Sequence, residues 1–140
     1  MIDRNIILSK TSKVDHHLQR IKKKIAVSQD EFLGDQDLQE IVLFNLQMAI
    51  QNCVDLSAHI ISDEELGIAG STGEMFYLLQ ENGYLSPELT EKMVTAAGFR
   101  NIIAHEYGNL DLKQVYQIAN QDINDVELFI KAILKKCHVL

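Results

Sequence analysis

Apolar residues recur every three or four positions along most of this chain, which is the period of an α-helix. The two clearest stripes lie in residues 3–26 and 36–62, and each keeps to one helical face. Their members are Val14, Leu18, Ile21 and Ile25 in the first, then Val42, Leu46, Ala49, Cys53, Leu56 and Ile60 in the second. The spacing therefore predicts two long amphipathic helices that pack against neighbouring helices.

Residues with helix-capping chemistry mark where the other helices begin. The candidate N-caps are Ser28, Ser71, Ser86 and Asp111. We expect a short turn that ends near Gly34, a short helix that ends near Gln80, a helix from Ser86 and a last helix that reaches Cys137. The glycine-rich residues 67–73 are predicted to be the main flexible loop. The apolar stripe of the last helix stays in phase from Leu112 to Cys137, so that helix is expected to be continuous.

Composition narrows the fold class. The chain has 140 residues with one proline and seven glycines, and 46% of the residues are apolar. β-Sandwiches and barrels need turn residues about every 8–12 positions, and those turn residues are missing here. We therefore predict an all-α fold, an antiparallel bundle of five to six helices, in a single domain that spans residues 1–140.

Charge, hydropathy and cysteine content limit the partners and the compartment. The formal net charge of −7 argues against a nonspecific DNA-coating protein but permits a nuclease whose few cations are gathered at one place. The apolar runs are too short to cross a membrane, and no signal-peptide core is present. Cys53 and Cys137 have neither metal-like nor redox-like spacing. We expect reduced thiols in a cytoplasmic protein.

One residue does not fit the face on which it lies. In the helix that begins at Ser86, Arg100 occupies a position on the apolar stripe, where a guanidinium is costly unless an anionic group meets it. The other members of that stripe are Leu89, Met93, Ala96 and Ile103. Asn101 and His105 are four positions apart and share an adjoining face, and Tyr107 falls just past the helix end.

This set of side chains suits cleavage of RNA by its own 2′-hydroxyl. His105 is able to act as base or acid, and Arg100 to stabilise charge on the phosphate oxygens. Because no histidine and carboxylate cluster with metal-ligand spacing accompanies them, chemistry without a metal is expected. One histidine per chain leaves one proton-transfer role vacant, which a two-fold homodimer would fill. Spacing alone leaves open that Arg100 is a buried ion-pair partner and His105 a helix cap.

Residues 100–107 read Arg-Asn-Ile-Ile-Ala-His-Glu-Tyr, a pattern that strongly resembles the signature of the HEPN superfamily, in particular of its HepT-like toxins. The surroundings are similar to that family as well, from Met93 through residues 96–99 before the motif to residues 108–111 after it. Residues 58–61, Ala-His-Ile-Ile, resemble the second long helix of the family. The resemblance therefore covers nearly the whole chain.

The resemblance implies an all-α dimer that cleaves RNA without a metal or other cofactor. Carried over by position, Arg100 and His105 are the catalytic pair and Asn101 is a positioning residue. Tyr107 is then the residue to which a MntA-like nucleotidyltransferase antitoxin transfers AMP. The alternative is a non-catalytic HEPN module that binds nucleotide and docks a nucleotidyltransferase, which the acidic net charge favours. A plain structural bundle would leave Arg100 unexplained.

Three further groups have ordinary interpretations. His16 and His17 are adjacent and so point about 100° apart on a helix, which makes them a poor metal pair and suggests surface positions. Asp55 and His59, four positions apart, are interpreted as a helix-surface pair, with a place in a cleft near Arg100 as the alternative. A solvated helix face explains the lysine cluster better than a nucleic-acid track does. That cluster consists of Lys10, Lys13, Lys22, Lys23 and Lys24.

Overall fold

The computed structural model describes residues 2–139, which form seven α-helices and no strand. The helices are α1 (Arg4–Lys24), α2 (Gln29–Leu33), α3 (Gln36–Asp63), α4 (Thr72–Glu81), α5 (Pro87–His105), α6 (Leu112–Gln117) and α7 (Ile123–Lys136). A 3₁₀ turn (Tyr107–Asn109) follows α5, and a π turn (Ile118–Asp122) joins α6 to α7. The predicted all-α fold is confirmed. None of these helices is long and apolar enough to cross a membrane.

The two long helices, α1 and α3, run antiparallel. Lys10 Nζ lies 3.6 Å from Asp55 Oδ2, and further along α1 His17 Nδ1 lies 2.8 Å from Asn45 Oδ1. Residue numbers rise along α1 as those of the partners fall along α3, so the two chain directions are opposed. This pair of helices is the frame on which α5 is mounted.

Both predicted apolar stripes line the core. Every member of the two stripes exposes 4% or less of its surface, from Val14 in α1 to Ile60 in α3. Phe32, Phe76 and Phe129, from α2, α4 and α7, are fully buried. The rings of Phe76 and Phe129 meet edge to face with their centroids 5.9 Å apart. The shorter helices therefore close the same core that α1 and α3 begin.

All four predicted N-caps are confirmed by hydrogen bonds. The Oγ atoms of Ser28, Ser71 and Ser86 each accept from the backbone N–H three residues later, at 3.1–3.2 Å. Asp111 Oδ1 accepts from the first turn of α6. Because Ser71 caps α4, the last two residues of the predicted loop 67–73 belong to the first turn of that helix. The loop is shorter than expected.

The last helix runs without a break from Leu112 to Lys136, as predicted, but it is not α-helical throughout. The π turn Ile118–Asp122 separates α6 from α7. Val115, Ala119 and Ile123 are spaced four and four, so in a regular α-helix each would rotate about 40° past the one before. The wider π turn takes up this excess, and all three residues are buried at 3% exposure or less.

Substitution of Ser86 by alanine should lower the free energy of unfolding by about 1 kcal/mol. Ser86 Oγ accepts from Leu89 N–H at 3.2 Å, and the loss of this cap leaves that donor without its side-chain partner at the start of α5. Urea denaturation followed by circular dichroism measures the change. Ser86→Asp keeps an accepting oxygen and should stay close to the parent protein. Equal destabilisation by both variants would contradict the capping role.

Candidate active site

Helix α5 carries the motif and is anchored in the core through one face. Ser86 caps it and Pro87 occupies its first turn, where the missing N–H is harmless. Met93 and Ile103 are buried at 0% and 4% exposure, and they hold the stripe against the core. Arg100 lies on this stripe, half-buried, as the spacing predicted. The sequence therefore forces a cation to the edge of an apolar interface.

The Arg100 guanidinium is held by two neutral oxygens. Its Nη1 donates to Oε1 of Gln51 on α3, and its Nη2 donates to Oδ1 of Asn101 at 2.6 Å. Its Nε is buried and has no hydrogen-bond partner among residues 2–139. Amide oxygens fix the orientation of the guanidinium without neutralising its charge. The arrangement leaves a positioned, uncompensated cation, which is what binding of a phosphate oxygen requires.

Gln51 is the site residue that the sequence analysis missed. Its Nε2 donates to Asp55 Oδ1 at 2.8 Å, and Asp55 in turn lies against Lys10 of α1. Asp55 thus contacts Gln51 and Lys10, and the favoured interpretation as a surface pair with His59 was wrong. Asp55 is linked to Arg100 only through Gln51, which contacts both residues. The four-residue spacing of Gln51 and Asp55 on α3 was the available signal.

Asn101 and His105 are both exposed, and His105 is the last residue of α5. Arg100 and His105 are five positions apart, which in an α-helix is about 140° around the axis and about 7.5 Å along it. Asn101 therefore joins Arg100 by a direct contact, whereas His105 points to another side of the helix. The structure brings Arg100, Asn101 and Gln51 together and leaves His105 open to solvent on another side of α5.

Tyr107 begins the 3₁₀ turn directly after α5 and exposes 49% of its surface. It lines a cleft of about 410 Å³ together with Gln36 and Gln39, near the start of α3. Partial burial raises the pKa of the Tyr107 phenol, and the nearby Glu40 carboxylate raises it further. The phenol is therefore protonated at neutral pH, and a reaction at its oxygen needs a base to remove the proton.

The histidine pair on α1 is more than a solvated surface. His17 is half-buried and its Nδ1 meets Oδ1 of Asn45, a residue that is 5% exposed. The rings of His16 and His17 lie at 69° to one another with centroids 5.4 Å apart. Within residues 2–139, no group of three or more His, Cys, Asp or Glu side chains is placed to hold a metal ion. Cys53 and Cys137 are both free thiols.

A match to a known family accompanies this geometry. A sequence model described as Ribonuclease HepT-like matches residues 14–133, which is most of the chain and includes the whole motif. The chain belongs to the Ribonuclease HepT-like family. The HEPN resemblance carried by residues 100–107 is thereby confirmed, and the family is one of ribonucleases, in agreement with the predicted enzyme class.

Two relatives of this HepT-like chain have established names. An mRNA nuclease HepT of Shewanella oneidensis is 31% identical over 129 residues, which are 92% of this chain and 96% of the relative. A tRNA nuclease HepT of Aphanizomenon flos-aquae is 28% identical over 128 residues, 91% of this chain and 87% of the relative. Both similarities extend over nearly the full length of each protein.

Two solved structures that this chain resembles are toxin–antitoxin complexes. One is a toxin–antitoxin crystal structure with AMP-PNP, with TM-score 0.87 and 30% identity, covering 93% of this chain and 98% of the other. Another is the tri-AMPylated HEPN toxin of Shewanella oneidensis in complex with an MNT antitoxin, with TM-score 0.86 and 30% identity. That match covers 94% of this chain and 98% of the toxin. The predicted HEPN-like bundle is confirmed at the level of the whole fold.

Proposed function

We propose that this HepT-like chain is the toxin of a toxin–antitoxin pair, a metal-independent endoribonuclease that a MntA-like nucleotidyltransferase neutralises by AMP transfer to Tyr107. The nuclease names of the two relatives and the antitoxin complexes of the structural neighbours support this assignment. The observation that carries it is the Arg100 guanidinium, which neutral amides hold in place on the same helix that ends in an exposed His105. Arg100 and His105 are the catalytic pair, and Asn101 positions Arg100.

Cleavage proceeds by internal transfer at phosphorus. A base removes the proton of the RNA 2′-hydroxyl, whose oxygen bonds to the adjacent phosphorus as the bond to the 5′-oxygen breaks. An acid donates a proton to that leaving oxygen, so the products are a 2′,3′-cyclic phosphate and a 5′-hydroxyl. Arg100 stabilises the charge that builds on the non-bridging oxygens, and His105 moves a proton.

A homodimer completes the proton transfers. Each chain contributes one motif histidine, and cleavage needs both a base and an acid. Because His105 is exposed and lies about 140° from Arg100 around α5, two motifs that face each other across a two-fold axis place His105 of both chains at one phosphate. Light scattering at micromolar concentration is expected to give the mass of a dimer.

Modification of Tyr107 explains inhibition in electrostatic and steric terms. The tyrosine lies two residues after His105 and is half exposed, so a transferase has access to its phenol. The phenol is protonated at neutral pH, so AMP transfer requires a base that removes its proton. Each added AMP brings a negative phosphate and a bulky nucleoside to the place where the RNA phosphate enters.

Substitution of Tyr107 by phenylalanine should abolish the gain of AMP mass on co-expression with a MntA-like nucleotidyltransferase, while the fold and toxicity remain. Phenylalanine keeps the ring and removes the only oxygen that accepts the nucleotide. Intact-protein mass spectrometry measures the gain. Tyr77→Phe is the matched control, because Tyr77 is also surface-exposed, at 39%, and should leave the gain unchanged. AMP transfer to the Tyr107→Phe protein would show that the modified residue is another one.

The acidic net charge of −7 favours a second candidate, a non-catalytic module that binds nucleotide and docks the transferase. The two candidates differ in one measurement. A toxin enzyme yields cyclic-phosphate ends on cellular RNA, whereas the module accepts AMP and leaves RNA intact.

A further inference from the structure

A second cleft opens between α1 and α3, away from Arg100. It encloses about 610 Å³ and is lined by Arg20 and the histidine pair of α1 and by Asp37, Glu40 and Phe44 of α3. Phe44 exposes 59% of its surface, whereas the other four phenylalanines expose 8% or less. Because the Phe44 ring takes no part in the core and stands beside charged side chains, its exposed face is available to a ligand.

The ring of Phe44 is supported from the side. Asn45 Nδ2 donates to the Ile41 carbonyl at 2.8 Å, so Asn45 Oδ1 is left to accept the proton on His17 Nδ1. The His17 ring, fixed in this way, meets Phe44 edge to face at 75° with centroids 6.1 Å apart. A chain of contacts from the buried Asn45 therefore holds an aromatic platform at the surface.

The polar side chains of the cleft determine which hydrogen-bond donors and acceptors a ligand needs. Asp37 and Glu40 accept hydrogen bonds and repel phosphate, whereas Arg20 donates. Adenine, cytosine and guanine each have an exocyclic amino group that donates to a carboxylate and a ring acceptor that suits a guanidinium, and uracil lacks the amino group. Single RNA bases stack on exposed aromatic side chains in this way.

We propose that this cleft binds one unstacked, amino-bearing nucleobase, stacked on Phe44 and hydrogen-bonded at its edge to Asp37, Glu40 and Arg20. The proposal rests on the proposed ribonuclease function and adds a contact to the RNA strand beyond the phosphate contact at Arg100. The base comes either from the RNA strand or from a nucleotide attached to Tyr107, since both carry the required chemistry.

The cleft lies within reach of both sources. Phe44 precedes Gln51 by two helical turns on nearly the same side of α3, about 10 Å along the axis, and Gln51 holds Arg100. A base on Phe44 would therefore belong to a nucleotide a few positions from the phosphate at Arg100. On the other side, Glu40 is close enough to Tyr107 for its charge to raise the pKa of the phenol.

Binding of adenosine and uridine pentanucleotides to the unmodified protein tests the RNA strand as the source of the base, in a His105→Ala background so that no RNA is cut. Phe44→Leu should weaken adenosine pentanucleotide binding about 5- to 150-fold, the range measured for loss of one stacked base. Phe44→Tyr should bind like the parent. Leu128→Ala is the matched control, because Leu128 is an apolar residue of α7 that is 50% exposed, and it should have no effect.

Glu40→Gln should change the affinities for the two RNAs by different factors. Removing the negative charge should strengthen uridine pentanucleotide binding through weaker phosphate repulsion, while the ratio of adenosine to uridine affinity falls. A uniform change in both affinities would mean that Glu40 does not read a base. If Phe44 and Glu40 prove not to bind a base, the proposed ribonuclease activity still stands, because the cleavage assay measures it separately. If the protein binds RNA in this way but does not cut it, the ribonuclease activity is contradicted and the base site stands.

Fluorine NMR of protein labelled with 4-fluorophenylalanine separates the two sources, with the Phe44 signal assigned by its loss in Phe44→Leu. A shift of that signal on addition of adenosine pentanucleotide identifies the RNA strand as the source. A shift on AMP transfer to Tyr107 without RNA identifies the attached nucleotide. An unchanged signal in both experiments overturns the proposal. So does loss of transferase binding in Phe44→Leu with unaltered RNA affinity, which would make the cleft a protein-docking surface.

Discussion

Replacement of His105 by alanine should lower the rate of RNA cleavage by about 10²- to 10⁴-fold, the usual contribution of a positioned acid or base. The free energy of unfolding should change by less than about 0.5 kcal/mol, because the imidazole is exposed at the end of α5 and packs in no core. Gel analysis of cellular RNA treated with purified protein measures the first quantity, and urea denaturation measures the second.

The matched control for His105 is His59→Ala, because His59 is also an exposed histidine on a long helix. It should cleave at the parent rate. The His105→Ala protein should still dimerise and still accept AMP. Cleavage at the parent rate would remove His105 from the mechanism, and loss of folding would identify it as a structural cap. Either result would favour the structural interpretation of the motif, in which His105 is a helix cap and Arg100 an ion-pair partner.

Replacement of Arg100 by alanine should lower cleavage by about 10²- to 10³-fold, as expected for removal of one group that stabilises transition-state charge. The same change leaves Gln51 Oε1 without its donor, so the free energy of unfolding should fall by about 1–3 kcal/mol. The loss of catalysis is separated from the loss of stability by measuring both cleavage and AMP transfer to Tyr107 at a temperature below the melting transition. AMP transfer should persist in the folded variant.

Gln51→Glu provides the sharper variant at this position. A glutamate in place of Gln51 turns the neutral contact into an ion pair and neutralises the guanidinium without removing it. Cleavage should fall although the fold is retained. Arg4→Ala, which removes an exposed arginine at the start of α1, is the control and should have no effect. Full activity of Gln51→Glu would mean that the charge on Arg100 is not used.

The predictability of the site differs from residue to residue. Arg100 was recognisable because a cation on an apolar stripe breaks a period that its neighbours keep. Tyr107 was correctly placed beyond the helix end, because a glycine follows it directly. Gln51 could not be assigned, since a glutamine on a half-polar helix face has many equivalent surface roles. Only the crossing of α5 over α3 selects Arg100 as its partner.

The local elements were determined by the sequence alone. Stripe spacing and capping residues act within a few turns of the chain, so the helices, their N-caps and the exposed end of the motif follow from neighbouring residues. The π turn, the contact of Asp55 with Gln51 and the exposed platform of Phe44 were decided by tertiary structure. Each of them depends on which helix faces lie against one another. The apolar period of a helix shows which face is buried but does not specify which other helix packs against it.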